Sequence, residues 1–214
     1  NSLGMKLVLV PGTEILMCIH ETRLKDFAAY AGEVRGVNGS WRGQSAEGVK
    51  LTERAEEHPV TSVSWEDARG FCAWLSQKEG RTYRLPTDKE WSFAVGLGRD
   101  EKWKADTTPE MLSNKMPNDY PWGNKWPPPR GAGNYSDLSR KDTTKKANFD
   151  LIEEYDDGFP TTAPVMSFQA NKLGLYDLGG NVDEWCEDWL NATQAQRVLR
   201  GLSWMYGNRS HTNS

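Results

Sequence analysis

The chain opens with two apolar runs on either side of a turn. Met5-Lys6-Leu7-Val8-Leu9-Val10 and Ile15-Leu16-Met17-Cys18-Ile19 flank Pro11-Gly12, a pattern that predicts two short strands. A helix is predicted after Thr22, where Leu24, Phe27 and Ala28 repeat at the spacing of a buried stripe. The stretch from Gly32 to His58 is polar and glycine-rich and reads as a long surface loop. The second helix has the clearest local signal. Ser64 is a good N-cap, Asp67 stands in capping-box position, and Trp65, Ala68, Phe71, Cys72 and Leu75 form one apolar face. Thr82-Tyr83-Arg84-Leu85 reads as a strand ended by Pro86, and Thr87 with Glu90 opens a third helix through Trp91 and Val95.

From about Gly96 to Pro164 the periodicity fades, and Pro127-Pro128-Pro129 sits among many Asn, Asp and Gly. So long an irregular stretch inside a compact domain has to be tied down, by aromatic side chains or by bound cations. The 214 residues show no repeat and no low-complexity tail, so residues 1–214 are read as one domain.

Composition narrows the function classes. A net charge of −4 gives no basic footprint for nucleic acid, and no apolar run reaches the roughly 20 residues of a membrane span. The first residues carry no charged segment followed by an apolar one, so no signal peptide is visible, and the sequence does not separate a cytoplasmic from an exported protein. Cys18, Cys72 and Cys186 are odd in number and far apart, which gives neither a disulfide framework nor CxxC metal spacing. They read as buried reduced thiols. Ten Trp residues, by contrast, suit a domain that pins irregular loops with indoles.

Several motifs occur in order. They are His58-Pro59-Val60 with Val63-Ser64-Trp65, Tyr83-Arg84-Leu85-Pro86-Thr87 with Glu90-Trp91, and Tyr120-Pro121-Trp122-Gly123. Thr162-Ala163-Pro164-Val165 follows, then Gly174-Leu175-Tyr176-Asp177-Leu178-Gly179-Gly180-Asn181-Val182 with Glu184-Trp185, then Arg197-Val198-Leu199-Arg200-Gly201-Leu202-Ser203-Trp204. Together they resemble the formylglycine-generating-enzyme, or sulfatase-modifying-factor, domain and its bacterial relatives. The resemblance implies an α+β fold, the family's variant of the C-type-lectin fold. Such a fold has a small twisted antiparallel sheet, few helices and much ordered loop.

Paired glycines at Gly179-Gly180 permit a tight turn, which would aim carbonyls and the carboxylates of Asp177 and Glu184 at one point. Hard oxygen ligands of that kind suit calcium. The resemblance implies the same: its second calcium site maps onto Asp177, Gly180, Val182 and Glu184, and its first onto Asn134, Tyr135, Asp157 and Phe159. Gly180, Val182, Tyr135 and Phe159 would act through backbone oxygens. The alternative is that these carboxylates cap loops or pair with arginine.

The family's enzymes oxidise a substrate cysteine with O₂ through two copper-binding cysteines. Soft thiolates suit Cu(I), and here the matching positions are Tyr206 and His211. Cys186 is read as lying ahead of the strand that leads to Ser203, and Cys18 and Cys72 belong to the first part of the chain. Asp183 stands where the family's active-site floor carries Trp. The related sulfoxide-synthase branch holds iron with several histidines, which His20, His58 and His211 do not reproduce.

The expected function is therefore non-catalytic, calcium-stabilised ligand recognition, with copper not expected. The alternative is an oxidoreductase of the formylglycine-generating type with altered metal ligands. Variable proteins of diversity-generating retroelements resemble this chain up to Trp204 and vary beyond it. By that likeness Trp204, Tyr206, Arg209 and His211 are candidate ligand contacts for a protein or small-molecule partner. The N-terminal segment resembles relatives fused behind a protein kinase, which implies a signalling partner within a larger bacterial protein. The family also closes with a Gly-Phe-Arg strand beyond the position of Ser214, so an unpaired sheet edge is expected.

Overall fold

The structure is a computed structural model that describes residues 1–43, 54–112, 120, 122–140 and 150–207. In chain order its regular elements are β1 (Leu7–Leu9), β2 (Leu16–Cys18), α1 (Leu24–Glu33), α2 (Trp65–Glu79), α3 (Asp88–Val95), α4 (Pro109–Leu112), β3 (Glu184–Trp189) and β4 (Arg197–Arg200). Short 3-10 turns at Gly39–Arg42, Ala55–Glu57 and Leu138–Arg140 punctuate the loops. The architecture is α+β, as expected. The sheet, however, is two separate antiparallel pairs, β1 with β2 and β3 with β4.

Local chemistry explains the helices. Ser64 accepts a hydrogen bond from the Asp67 backbone amide, and the Asp67 carboxylate reaches back to the Ser64 amide, so α2 starts with a reciprocal cap. Thr87 and Glu90 make the same box for α3. At α1 the cap is Arg23, whose guanidinium grips Asp26 at 2.8 and 3.0 Å and reaches Glu57 at 3.2 Å. That ion pair anchors the helix start to the 3-10 turn before His58.

The helices bury aromatic faces against each other. Phe27 and Tyr30 of α1 pack on Phe71, Trp74 and Leu75 of α2, with Met5 and Trp41 closing the cluster. Phe27 alone meets three aromatic rings at centroid distances of 5.2 to 6.1 Å. The helices approach closely at Gly70, where a Cβ would lie 2.3 Å from the Tyr30 hydroxyl. A second core joins α3 to the β3–β4 pair through Trp91, Ala94, Leu175, Leu178, Cys186 and Val198.

Two expectations are corrected. Residues 82–85 form no strand, and among the described residues no strand lies alongside them; the Tyr83 amide bonds to the Ser76 hydroxyl instead. Cys186, in β3 and so ahead of β4, is wholly buried. The Gly32–His58 stretch is not all surface loop, since Trp41 is buried; its residues 44–53 fall outside the described ones.

The long irregular region is tied down by rings. Tyr120 and Trp122 stack at 4.9 Å, Trp122 meets the Tyr135 ring edge-on at 5.2 Å, and Tyr135, Ile152 and Tyr155 form a third buried cluster. Among the described residues no helix is long and apolar enough to cross a membrane.

Candidate functional site

The segment from Asp177 to Glu184 is a turn forced into shape from both sides. Asp177, Gly180 and Asn181 have φ of 58°, 97° and 65°, a left-handed run that glycine and the short polar side chains of Asn and Asp tolerate best. A Cβ at Gly180 would sit 2.6 Å from the Asn134 carbonyl oxygen, so only glycine lets these backbones approach so closely. The turn is fixed by the Gly180 amide on the Gly201 carbonyl at 2.6 Å and by the Tyr135 hydroxyl on the Gly179 carbonyl at 2.7 Å.

Oxygen atoms collect on this turn. A Cβ at Gly201 would meet Glu184 Oε2 at 3.4 Å and the carbonyl oxygens of Leu178 and Val182 at 3.5 Å, so two expected ligands and a third oxygen converge there. Trp91 Nε1 also donates to Glu184 Oε2, at 2.5 Å. Asp177 Oδ2 accepts from the Met166 amide at 2.8 Å, while Asp177 Oδ1 is buried and unpartnered. Burial pushes the Asp177 carboxyl up to about 6 and that of Glu184 up to about 8. Glu21, a residue not picked out from the sequence, is buried beside them, and its carboxyl is raised by burial first and then by Asp177 and Glu184.

The first expected site is assembled around Asp157. Its Oδ2 accepts from the Tyr135 amide at 2.9 Å and its Oδ1 from the Phe159 amide at 2.7 Å, which draws three of the four residues together. Asp137 stands next to it and accepts from the Asp157 amide at 2.5 Å. Burial, then the Asp137 charge, raises the Asp157 carboxyl. The fourth residue, Asn134, is wholly buried and spends its amide nitrogen on Thr161 O and Asn181 Oδ1, leaving its own Oδ1 without a partner.

Each expected set thus holds a buried oxygen that lacks a donor, an arrangement that costs free energy unless a cation or water occupies it. The donors are carboxylate, amide and carbonyl oxygens, the chemistry calcium takes. No group of three or more His, Cys, Asp or Glu side chains is close enough to hold a metal among the described residues. A cation here would therefore depend on amide and backbone oxygens, as the expected sets do.

At the other expected site, Trp204 is buried, with the Arg140 guanidinium 4.5 Å from its ring centroid. Tyr206 is half-buried, and its hydroxyl is raised, first by the charge of Asp183. Asp183 is itself raised by burial and receives a hydrogen bond from Ser203. Arg209 and His211 lie outside the described residues. Two histidines have structural partners: His20 Nδ1 meets the Glu21 carbonyl at 2.7 Å, and His58 Nδ1 meets Thr162 Oγ1 at 2.9 Å.

The chain matches the model of the sulfatase-modifying factor enzyme 1-like domain over residues 11–214. It belongs to that family. It is 37% identical over 167 residues to the inactive C-alpha-formylglycine-generating enzyme 2 of Bos taurus, covering 77% of this chain and 44% of that protein. It is 34% identical over 152 residues to the formylglycine-generating enzyme of Thermomonospora curvata, covering 71% of this chain and 40% of that one. The serine/threonine-protein kinase pkn1 of Chlamydia caviae is 31% identical over 165 residues, 69% of this chain and 19% of the kinase. The chain thus spans less than half the length of these relatives. The fold is shared with PvdO from Pseudomonas aeruginosa, at a TM-score of 0.57 and 18% identity over 98% of this chain and 82% of that one. It is shared too with Treponema denticola variable protein 1, at 0.56 and 20% over 97% and 82%.

The three thiols lie in the folded interior. Cys186 is in the second core, while Cys18 and Cys72 border a largely apolar cavity of about 550 Å³ that also touches Trp91 and Glu184. Burial pushes Cys18 up to about 11 and Cys72 up to about 12. At pH 8 only about one Cys18 in a thousand is then a thiolate, the reactive form. Alkylation of the native protein at that pH should be slow at all three thiols and complete within minutes in denaturant. A thiol that labels fast in the native state would contradict this.

Proposed function

We propose that this chain is a non-catalytic recognition domain of the formylglycine-generating type, stabilised by calcium at two neighbouring sites. The observation that carries the non-catalytic part is the placement of the thiols. Copper-thiolate oxidation needs two cysteines beyond Ser203, where this sequence has Tyr206 and His211, and all three cysteines belong to other parts of the fold. Similarity to an inactive formylglycine-generating enzyme accords with this reading.

The unpartnered Asn134 Oδ1 and Asp177 Oδ1 support the calcium part. Asn134, Tyr135, Asp157 and Phe159 would hold one ion, and Asp177, Gly180, Val182 and Glu184 the other. Bound calcium would supply positive charge to buried carboxylates and fix loops that have few regular elements. The recognition surface would be the Tyr206 end of the chain. The likeness to a variable protein and to a kinase suits a sensing or targeting module within a larger protein.

Metal analysis of the purified chain tests this. Calcium at about two equivalents, no stoichiometric copper or iron, and a melting temperature that falls on chelation are the expected results, because an ion held only by the native state stabilises it. Stoichiometric copper together with oxidation of a cysteine-containing peptide would establish the oxidoreductase instead.

A further inference from the structure

Asn181 occupies the point where the two oxygen clusters meet. It is almost fully buried, and every polar group it owns is used. Its Oδ1 accepts from Asn134 Nδ2 at 3.0 Å and from the Ala163 amide at 2.8 Å. Its Nδ2 donates to Glu21 Oε2 at 2.6 Å and to the Ala163 carbonyl at 3.3 Å. Its backbone amide donates to the Asn134 carbonyl at 2.8 Å, and its carbonyl accepts from the Trp204 amide at 2.9 Å.

These partners leave each amide one orientation. Asn134 Nδ2 faces two acceptors, Thr161 O and Asn181 Oδ1, so a flipped amide would set oxygen against oxygen. Asn181 therefore decides which way the free Asn134 Oδ1 points. On its other side Asn181 is covalently flanked by Gly180 and Val182, both in the second expected ligand set. Glu21 completes the clasp, because its Oε1 accepts from the Val182 amide at 3.2 Å while its Oε2 holds Asn181. A shift of Asn134 on filling the first cluster cannot leave the Gly180–Val182 turn unmoved, since buried hydrogen bonds of fixed direction connect them.

We propose that the two clusters form one coupled cation-binding unit, in which Asn181 is the positioning residue that transmits occupancy from one to the other. This rests on the calcium reading above and goes beyond it: filling either site pre-arranges the oxygens of its neighbour. By linkage the effect must be reciprocal.

Titration calorimetry with Ca²⁺ alone, on the full chain, tests the coupling. Asp157→Asn should weaken binding at the second site by about fivefold or more, and Glu184→Gln should weaken the first by the same factor. In an Asn181→Gly background, where glycine tolerates the left-handed backbone but the relay is gone, neither change should affect the other site. Circular dichroism checks that this variant folds; if it does not, Glu21→Gln, which sets an amide donor where Glu21 Oε2 accepts from Asn181, replaces it. Unchanged second-site affinity in Asp157→Asn would overturn the coupling and leave calcium binding standing. Absence of any Ca²⁺ binding by the unaltered chain would overturn the calcium reading, and the coupling with it.

Discussion

Replacing Arg200 with methionine is expected to lower the unfolding free energy by about 3–5 kcal/mol, among the largest effects of any single change in this protein. Arg200, on β4, forms an ion pair through Nε with Asp88 Oδ1, and both side chains are nearly or wholly buried. Asp88 begins α3, and its Oδ2 is buried without a partner. Removing the guanidinium therefore strands a carboxylate that has little other compensation. The Arg200 guanidinium also lies 5.5 Å from the centroid of the Trp91 ring, and Trp91 in turn donates to Glu184, so the damage reaches the oxygen cluster. For a chain of this size the loss corresponds to a melting temperature lower by roughly 10 °C. Adding Asp88→Asn should restore a substantial part, because it removes the charge left behind. Urea unfolding of the single and double variants measures both. A single variant within about 1 kcal/mol of the parent would show that water reaches Asp88 and that the pair is worth only what a surface pair is worth.

Local partners in this fold are legible in the sequence, and distant ones are not. The caps at Ser64 and Thr87 were legible because cap and partner lie three residues apart, and the hydrogen bonds confirm both boxes. The cap of α1 was not legible, since Arg23 is no ordinary N-cap and owes its place to Asp26 and to Glu57, which is 34 residues away. Residues 82–85 have strand composition but, among the described residues, no strand beside them, and pairing is settled by tertiary structure.

Within the site, the glycine pair and the spacing of Asp177 to Glu184 announced a turn rich in oxygen atoms. Glu21 gave no such notice. It is bound to Asn181 across 160 residues, and a lone glutamate ahead of a helix looks like any solvated acid. The burial of Trp204 was not legible for a related reason. An aromatic residue at the edge of a polar tail resembles a binding anchor until Arg140, an arginine with no exposed surface, is seen to cover it.

Stability should fall with rising pH in the chelated chain and stay nearly level in the calcium-loaded one. In chelator, the Glu184 and Asp177 carboxyls sit above their ordinary values, at about 8 and about 6, chiefly through burial. The folded chain then holds protons that the unfolded chain has released. Such a group contributes stability that is complete below its unfolded value and is lost as pH rises through its folded value. Each fully linked group removes up to about 1.4 kcal/mol per pH unit inside that window. For Asp177 the window closes near 6, and for Glu184 it extends to about 8, with Asp157 shifted in the same direction. The chelated chain should therefore weaken steadily between about pH 5 and pH 8. Calcium binds the ionised carboxylates and must displace those protons, so its affinity rises over the same range. The gap in melting temperature between calcium-loaded and chelated protein should widen from the acid end to the alkaline end. Glu21 faces the same cluster and is likewise raised, so Glu21→Gln should make the slope of the chelated chain shallower. A chelated chain that gains stability from pH 5 to 8 would mean that the buried carboxyls are ionised without a cation. The proton inventory at this turn would then be wrong, whatever the chain proves to bind.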